Sequence, residues 1–297
     1  MRRGLVLAAL LPFAAAAQEL ADERAAAAYA AWTDDTAARL AARGTVHDAL
    51  VAILFEQAAA KGGRSRAPER LEQAWIRASA DGSANPLVHW LALTDCPRGR
   101  EACDRRVALD ALLRLEPDNG AAWQLALDDA LAKQDRVGAR AALAALARAE
   151  RFDTHHDEYF RLVDTALADV PVPASVRTLG EASIDEDGAR GIALLGVMIA
   201  LPTLDASGLR RYCTPGVEAS YEERRADCAA AGERIATRSE TSLERFTGAR
   251  VWLDAVRGGP DEARARQALV DLHWQAERFH EQSAGEDTGP VQLAAQL

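Results

Sequence analysis

The chain has 297 residues, a formal charge of −10 at pH 7 and four cysteines, and 66 of its residues are alanine. That composition excludes a disordered chain, a collagen and a disulfide-dense miniprotein. It also argues against nucleic acid as a partner, because a surplus of carboxylates repels phosphates. What remains is a largely helical protein of one or two domains.

Residues 1–17 read as a secretory signal peptide. Arg2 and Arg3 give the positive start, residues 5–13 the apolar core, and residues 14–17 a run of four alanines suited to cleavage. The apolar stretch is too short for a retained membrane span, so no span is expected once the signal is removed. Removal of Arg2 and Arg3 takes two positive charges from −10, leaving −12. Lys61 and Lys133 are the only lysines, the other basic residues being Arg. Such Ala and Arg usage points to a GC-rich, Gram-negative bacterial genome, and export from that cell means a periplasmic or secreted protein.

Helix then follows helix. Residues 22–42 form the first, ended by Gly44. Thr45 caps the next, whose apolar stripe is Val46, Leu50, Ile53 and Leu54. Pro68 suits a first helical turn, followed by Leu71, Trp75 and Ala78 on one face. Asn85-Pro86 starts a helix through Trp90. Residues 105–115 form the next, with Ala108, Ala111, Leu112 and Leu115 as its stripe. Residues 121–132 and 137–149 are joined by a short turn at Gln134-Asp135, and 157–168 carry Tyr159, Phe160, Leu162, Val163 and Leu167. Pro171-Val172-Pro173 is the clearest break. It separates a helical-repeat domain, 18–170, from a C-terminal helical region, 174–282. Residues 178–188 are polar and unpatterned, and no period-2 strand is visible. Residues 192–201 are apolar, too short to cross a bilayer, and read as a buried helix. Helices at 241–257 and 260–282 close the chain, the last with the stripe Ala265, Leu269, Leu272, Ala276 and Phe279. Residues 283–297 read as a loose polar tail.

The run Leu115-Glu116-Pro117-Asp118-Asn119-Gly120-Ala121-Ala122-Trp123 is followed by Ala139 sixteen residues after Trp123 and by Leu143 four later. It resembles a tetratricopeptide repeat, in which an aromatic opens the first helix, a small residue lets the second approach, and Pro closes the unit. Asn85 and Asn119 stand 34 residues apart, the period of that family. Trp90, Leu109 and Pro117 then take similar roles in the preceding unit. The chain departs from the pattern in lacking a small residue near Arg105 and a Gly after the first aromatic, and in placing Cys96 and Cys103 in the inter-helix turn. The resemblance implies an all-α fold of stacked antiparallel hairpins, an α-solenoid with a concave, often peptide-binding face. Short turns between helices and stripes that one hairpin cannot bury alone give the same architecture without it. The expected contact surface is the first-helix face, with Gln124 and Asp128 beside Trp123.

Four cysteines allow three pairings. Local pairing, Cys96 with Cys103 and Cys213 with Cys228, is favoured because each pair spans a helix–helix turn; the closures would contribute about 2.5 and about 3 kcal/mol. Their spacing does not suit zinc. Two other clusters have metal-binding residue types. His155 and His156 lie in the polar run 153–158, although adjacent helical histidines point about 100° apart and Asp153 or Thr154 accounts for the run as a helix cap. His273, Glu277 and His280 follow at i, i+4 and i+7 on one face of the last helix. Residues 183–188 begin like a calcium loop but lack the bidentate acid at position twelve, which is Leu194. No nucleophile elbow or phosphate-binding glycine loop occurs, and no cofactor is expected. The sequence therefore predicts a non-catalytic periplasmic protein that holds a protein or peptide partner. The alternative is an envelope metal-binding protein or enzyme using His273/Glu277/His280 or His155/His156, and a third possibility is an inhibitor of a secreted toxin or enzyme.

Overall fold

A computed structural model describes residues 5–61, 68–94, 104–179, 182–201, 204–216 and 220–285. The fold is all-α, with neighbouring helices packed in pairs as stacked helical hairpins. Among the described residues no helix is long and apolar enough to cross a membrane. The chain forms two compact units, each drawing on residues before and after Pro171-Val172-Pro173.

The first unit contains residues 1–78 and 158–201. Helix α1 runs from Leu5 to Arg43 and α2 from Val46 to Lys61. Gly44 lies between them at φ +86°, where an L side chain would be strained, and the Thr45 hydroxyl accepts the Asp48 N–H at 3.0 Å. The expected stripe on α2 understates its burial. Residues 49–57 are all buried, so this helix is enclosed rather than amphipathic. Its one buried acid, Glu56, is paired with Arg70 of α3 (Pro68–Asp81). Leu71, Trp75 and Ala78 are buried as the periodicity requires. Helix α8 (His156–Leu167) buries Tyr159, Val163 and Leu167. The Trp32 indole N–H donates to the Pro171 carbonyl at 3.1 Å, tying α1 to the segment before a 3₁₀ turn at Ala174–Val176.

A small antiparallel ribbon, β1 (Thr178–Leu179) with β2 (Ala182–Ser183), follows where the sequence showed no strand. Two-residue strands are too short to register as an alternation. Helix α9 (Glu186–Ala200) is capped by Asp185, whose Oδ1 accepts the Gly188 N–H at 2.8 Å, and it packs on α2. Its buried residues are Ala189, Ala193, Leu194 and Val197, while Ile199 is 75% exposed, so the apolar run is buried on one face only.

The second unit contains residues 79–157 and 202–287. Helices α4 (Pro86–Thr94) and α5 (Arg105–Leu115) pair, as do α6 (Gly120–Ala132) and α7 (Arg136–Arg148). Gln134 makes the tight α6–α7 turn at φ +59°. Cys96 and Cys103 fall outside the described residues. The remaining helices are α10 (Ser207–Tyr212), α11 (Tyr221–Arg238), α12 (Ser242–Val256) and α13 (Glu262–Gly285). Helix α7 packs on α11, α11 on α12, and α12 on α13 around Ala236, Ala249, Trp252, Ala265 and Leu272. Of the last helix's expected stripe, Ala265 and Leu272 are buried and Leu269 partly so, whereas Ala276 is exposed. The α11–α12 crossing is glycine-mediated. A Cβ on Gly232 would lie 2.5 Å from the Trp252 nitrogen, and one on Gly248 would lie 2.6 Å from the Ala236 nitrogen.

Candidate functional site

Two polar arrangements in the second unit separate into a structural one and an open one. The structural one joins the start of α6 to the segment that follows α7. Asn119 caps α6 through its Oδ1, which accepts the Ala121 N–H at 3.1 Å. The same amide clamps the start of the following segment: Oδ1 accepts the Asp153 N–H at 3.0 Å and Nδ2 donates to the Asp153 carbonyl at 2.9 Å. Nδ2 also donates to Glu116, 3.0 Å away. Glu116 in turn accepts from Arg151 at 2.8 Å and faces His155 Nε2 at 3.0 Å. Burial raises the Glu116 pKa. The bond and charge of His155 outweigh it, with help from Arg151 and Asn119, and hold the carboxyl at about 2.

His155 is therefore enclosed, with the Trp90 ring edge-on at 5.4 Å, and its backbone sits at φ +62°. That left-handed conformation costs on the order of 1 kcal/mol, offset by the carboxylate contact and by the N–H donated to Asp153 at 2.7 Å. His156 turns instead to the Thr154 hydroxyl at 2.9 Å, so the adjacent histidines serve different neighbours. Burial lowers the His156 pKa, opposed by the charges of Glu244 and Asp157.

The open arrangement is a cleft of about 580 Å³ beside α6. Leu125, Asp128, Asp129, Leu131 and Ala132 of α6 form one wall, and Leu93, Thr94 and Arg105 another. Leu204, Asp205, Ser207, Gly208 and Arg211 complete it. Helix α10 lies close to α6 here: a Cβ on Gly208 would fall 2.1 Å from Asp128 Oδ1, so that carboxyl is packed against the Gly208 backbone. The placement of α10 is fixed from behind. Cys213, at its end, is disulfide-bonded to Cys228 of α11, and the buried Arg224 donates to the Tyr212 carbonyl at 2.8 Å while stacking 4.1 Å over the Tyr212 ring.

The charges in the cleft are unequally satisfied. Asp205 accepts the Ser207 N–H at 2.8 Å and its hydroxyl at 2.9 Å, and these bonds hold its pKa below the ordinary value. Asp129 is paired with Lys133 at 2.6 Å, and Arg105 donates to the Leu93 carbonyl. Asp128 differs from both. Its buried Oδ1 has no hydrogen-bond partner among the described residues. Burial, reinforced by the nearby Asp205 charge and only partly countered by Arg211, pushes its pKa up to about 7.

Of the contact residues expected from sequence, Asp128 thus lies in the cleft. Gln124, one turn earlier, is 1% exposed with an unpartnered Nε2, and Trp123 is half-buried, its indole donating to the Pro117 carbonyl at 2.8 Å. The cleft residues Asp205, Ser207, Gly208 and Arg211 were not singled out in the sequence. A six-residue helix shows too little periodicity, and the usable signal was the Asp-x-Ser turn at its start. Cys213 and Cys228 are joined as local pairing predicts. His273 and Glu277 form an exposed pair at 3.3 Å, and the His280 side chain lies outside the described positions. Among the described residues no group of three His, Cys, Asp or Glu is placed to hold a metal. Comparison with family models, curated proteins and solved structures finds no match to this chain.

Proposed function

We propose that this is an exported, non-catalytic helical-repeat protein, tetratricopeptide-like in its central hairpins, that holds a protein or peptide partner in the cleft beside α6. The observation that supports the reading is the concave cleft of about 580 Å³ beside α6, lined by both leucines and charged side chains. The apolar lining of Leu93, Leu125, Leu131 and Leu204 supplies the non-directional part of such an interaction. Export is supported by the N-terminal signal pattern and by the Cys213–Cys228 bond, which persists in an oxidising compartment.

The test is crosslinking capture from the native cell envelope with the mature protein and with Ala132→Trp. Ala132 is an exposed cleft residue at the end of α6, so the indole fills the cleft without entering the core. One partner should be captured by the natural protein and reduced at least about ten-fold by the variant, with helicity unchanged, which corresponds to about 1.4 kcal/mol of binding. Equal recovery by both proteins would remove the cleft from the reading.

A further inference from the structure

The chain contains two asparagines, Asn85 and Asn119, and their neighbours set opposite chemistries. Asn85 precedes Pro86, whose nitrogen carries no proton and cannot close a ring on the asparagine side chain. Asn119 precedes Gly120, the residue type that least obstructs attack of its own amide nitrogen on that side chain. In the folded chain both reacting groups are held apart. The Gly120 N–H donates to the Arg151 carbonyl at 2.8 Å. The Asn119 side chain is fixed on both its atoms: Oδ1 accepts from the Ala121 and Asp153 N–H groups, and Nδ2 donates to Glu116 and to the Asp153 carbonyl. Asn119 is 0% exposed. Gly120 has little room to turn, because a Cβ there would lie 2.9 Å from Leu146 Cδ1 and 3.1 Å from Phe152 Cδ2.

We propose that Asn119 is a conformation-gated deamidation site, inert while the α6–α7 hairpin is closed on it and reactive once that junction opens. In the opened chain the Gly120 nitrogen attacks Asn119 Cγ. The N–Cγ bond forms, the Cγ–Nδ2 bond breaks, and ammonia leaves carrying the Gly120 amide proton. Water then opens the cyclic imide at either carbonyl, giving aspartate or isoaspartate at position 119. Neither product rebuilds the junction. An aspartate there has no donor for the Asp153 carbonyl, and it sets a second carboxylate against Glu116, where Nδ2 now stands 3.0 Å away in a buried site. Isoaspartate adds a methylene to the main chain at the cap of α6. An opening that outlasts cyclisation is therefore recorded covalently, and the opened chain cannot return to this fold. The inference does not depend on the partner reading.

The test incubates the full chain, disulfides intact, at mildly alkaline pH with and without denaturing urea. Peptide mass spectrometry reads the conversion of amide to acid at position 119. The mass gain separates this event from isomerisation at Asp81-Gly82 and Asp187-Gly188, which leaves mass unchanged. Conversion should be at least about a hundred-fold faster in urea than in buffer, since only the opened fraction reacts. In urea, Gly120→Ala should slow it at least about ten-fold, a readout that does not require the variant to fold. Asn85 should stay unconverted in both conditions. After dilution from urea, converted chains should be depleted at least about ten-fold from the fraction that elutes at the native size. Asn119→Asp should show the same defect without incubation, as a lower urea midpoint. Equal rates in buffer and urea, no mass gain at position 119 in urea, or converted chains that refold as readily as unconverted ones would each overturn the assignment.

Discussion

Glu116 shows how a single acid at a helix junction can act as a fastener. It receives bonds from Asn119, Arg151 and His155, which come from both sides of the α6–α7 hairpin. A carboxyl whose pKa falls on folding adds stability that is fully present above its unfolded value, about 4.3, and is lost as pH falls towards its folded value, here about 2. The pair is order-of-magnitude worth about 2–3 kcal/mol over that window. Urea unfolding at pH 5 and pH 2.5 should show the natural protein losing about 2 kcal/mol more than Glu116→Gln, which has no charge to titrate. Equal losses would mean that Glu116 does not titrate as a native ion pair. Asn119 stood out in the sequence by its 34-residue spacing from Asn85, but its capping role did not. The depth of its network was not legible either, because Arg151 and His155 become its neighbours only when the hairpin closes.

Helices α11 and α12 meet through small residues. Helix α11 has 18 residues, yet its buried face is Tyr221, Arg224, Cys228, Ala231, Gly232, Ile235 and Ala236. Small residues and a buried arginine give little hydrophobic periodicity, so the sequence did not mark it as a helix. The same small residues let the backbones approach, and the contact is made by glycine against main chain on both sides. Gly232→Ala places a methyl group against the Trp252 nitrogen, and neither helix can yield without losing the Ala249–Trp252 packing. The expected cost is about 3 kcal/mol, above what the gain in helix propensity returns, measured as a lower urea midpoint. An unchanged midpoint would mean the two helices do not cross as closely as described. Helices with conventional stripes or caps, such as α3, α5 and α12, were placed within about two residues, because there local pattern and burial agree.

At the scale of the whole chain, each compact unit is built from separated segments, 1–78 with 158–201 and 79–157 with 202–287. A fragment covering 18–170 therefore loses α9, which packs on α2, and α10 and α11, which pack on α6 and α7. It also loses the Pro171 carbonyl that receives the Trp32 indole. Such a fragment is expected to unfold without a single cooperative transition in calorimetry, while the full chain retains one or more. A cooperative fragment would show that the early hairpins are self-sufficient. The sequence by itself determined the helical class and most helix boundaries and favoured the Cys213–Cys228 pairing, because caps, stripes and short turns act over a few residues. Only the tertiary structure decided which segments share a core, that Gln124 is enclosed, and that Gly208 and Asp205 close on Asp128. Those outcomes depend on contacts between residues far apart in the chain, whose pairing no local pattern encodes.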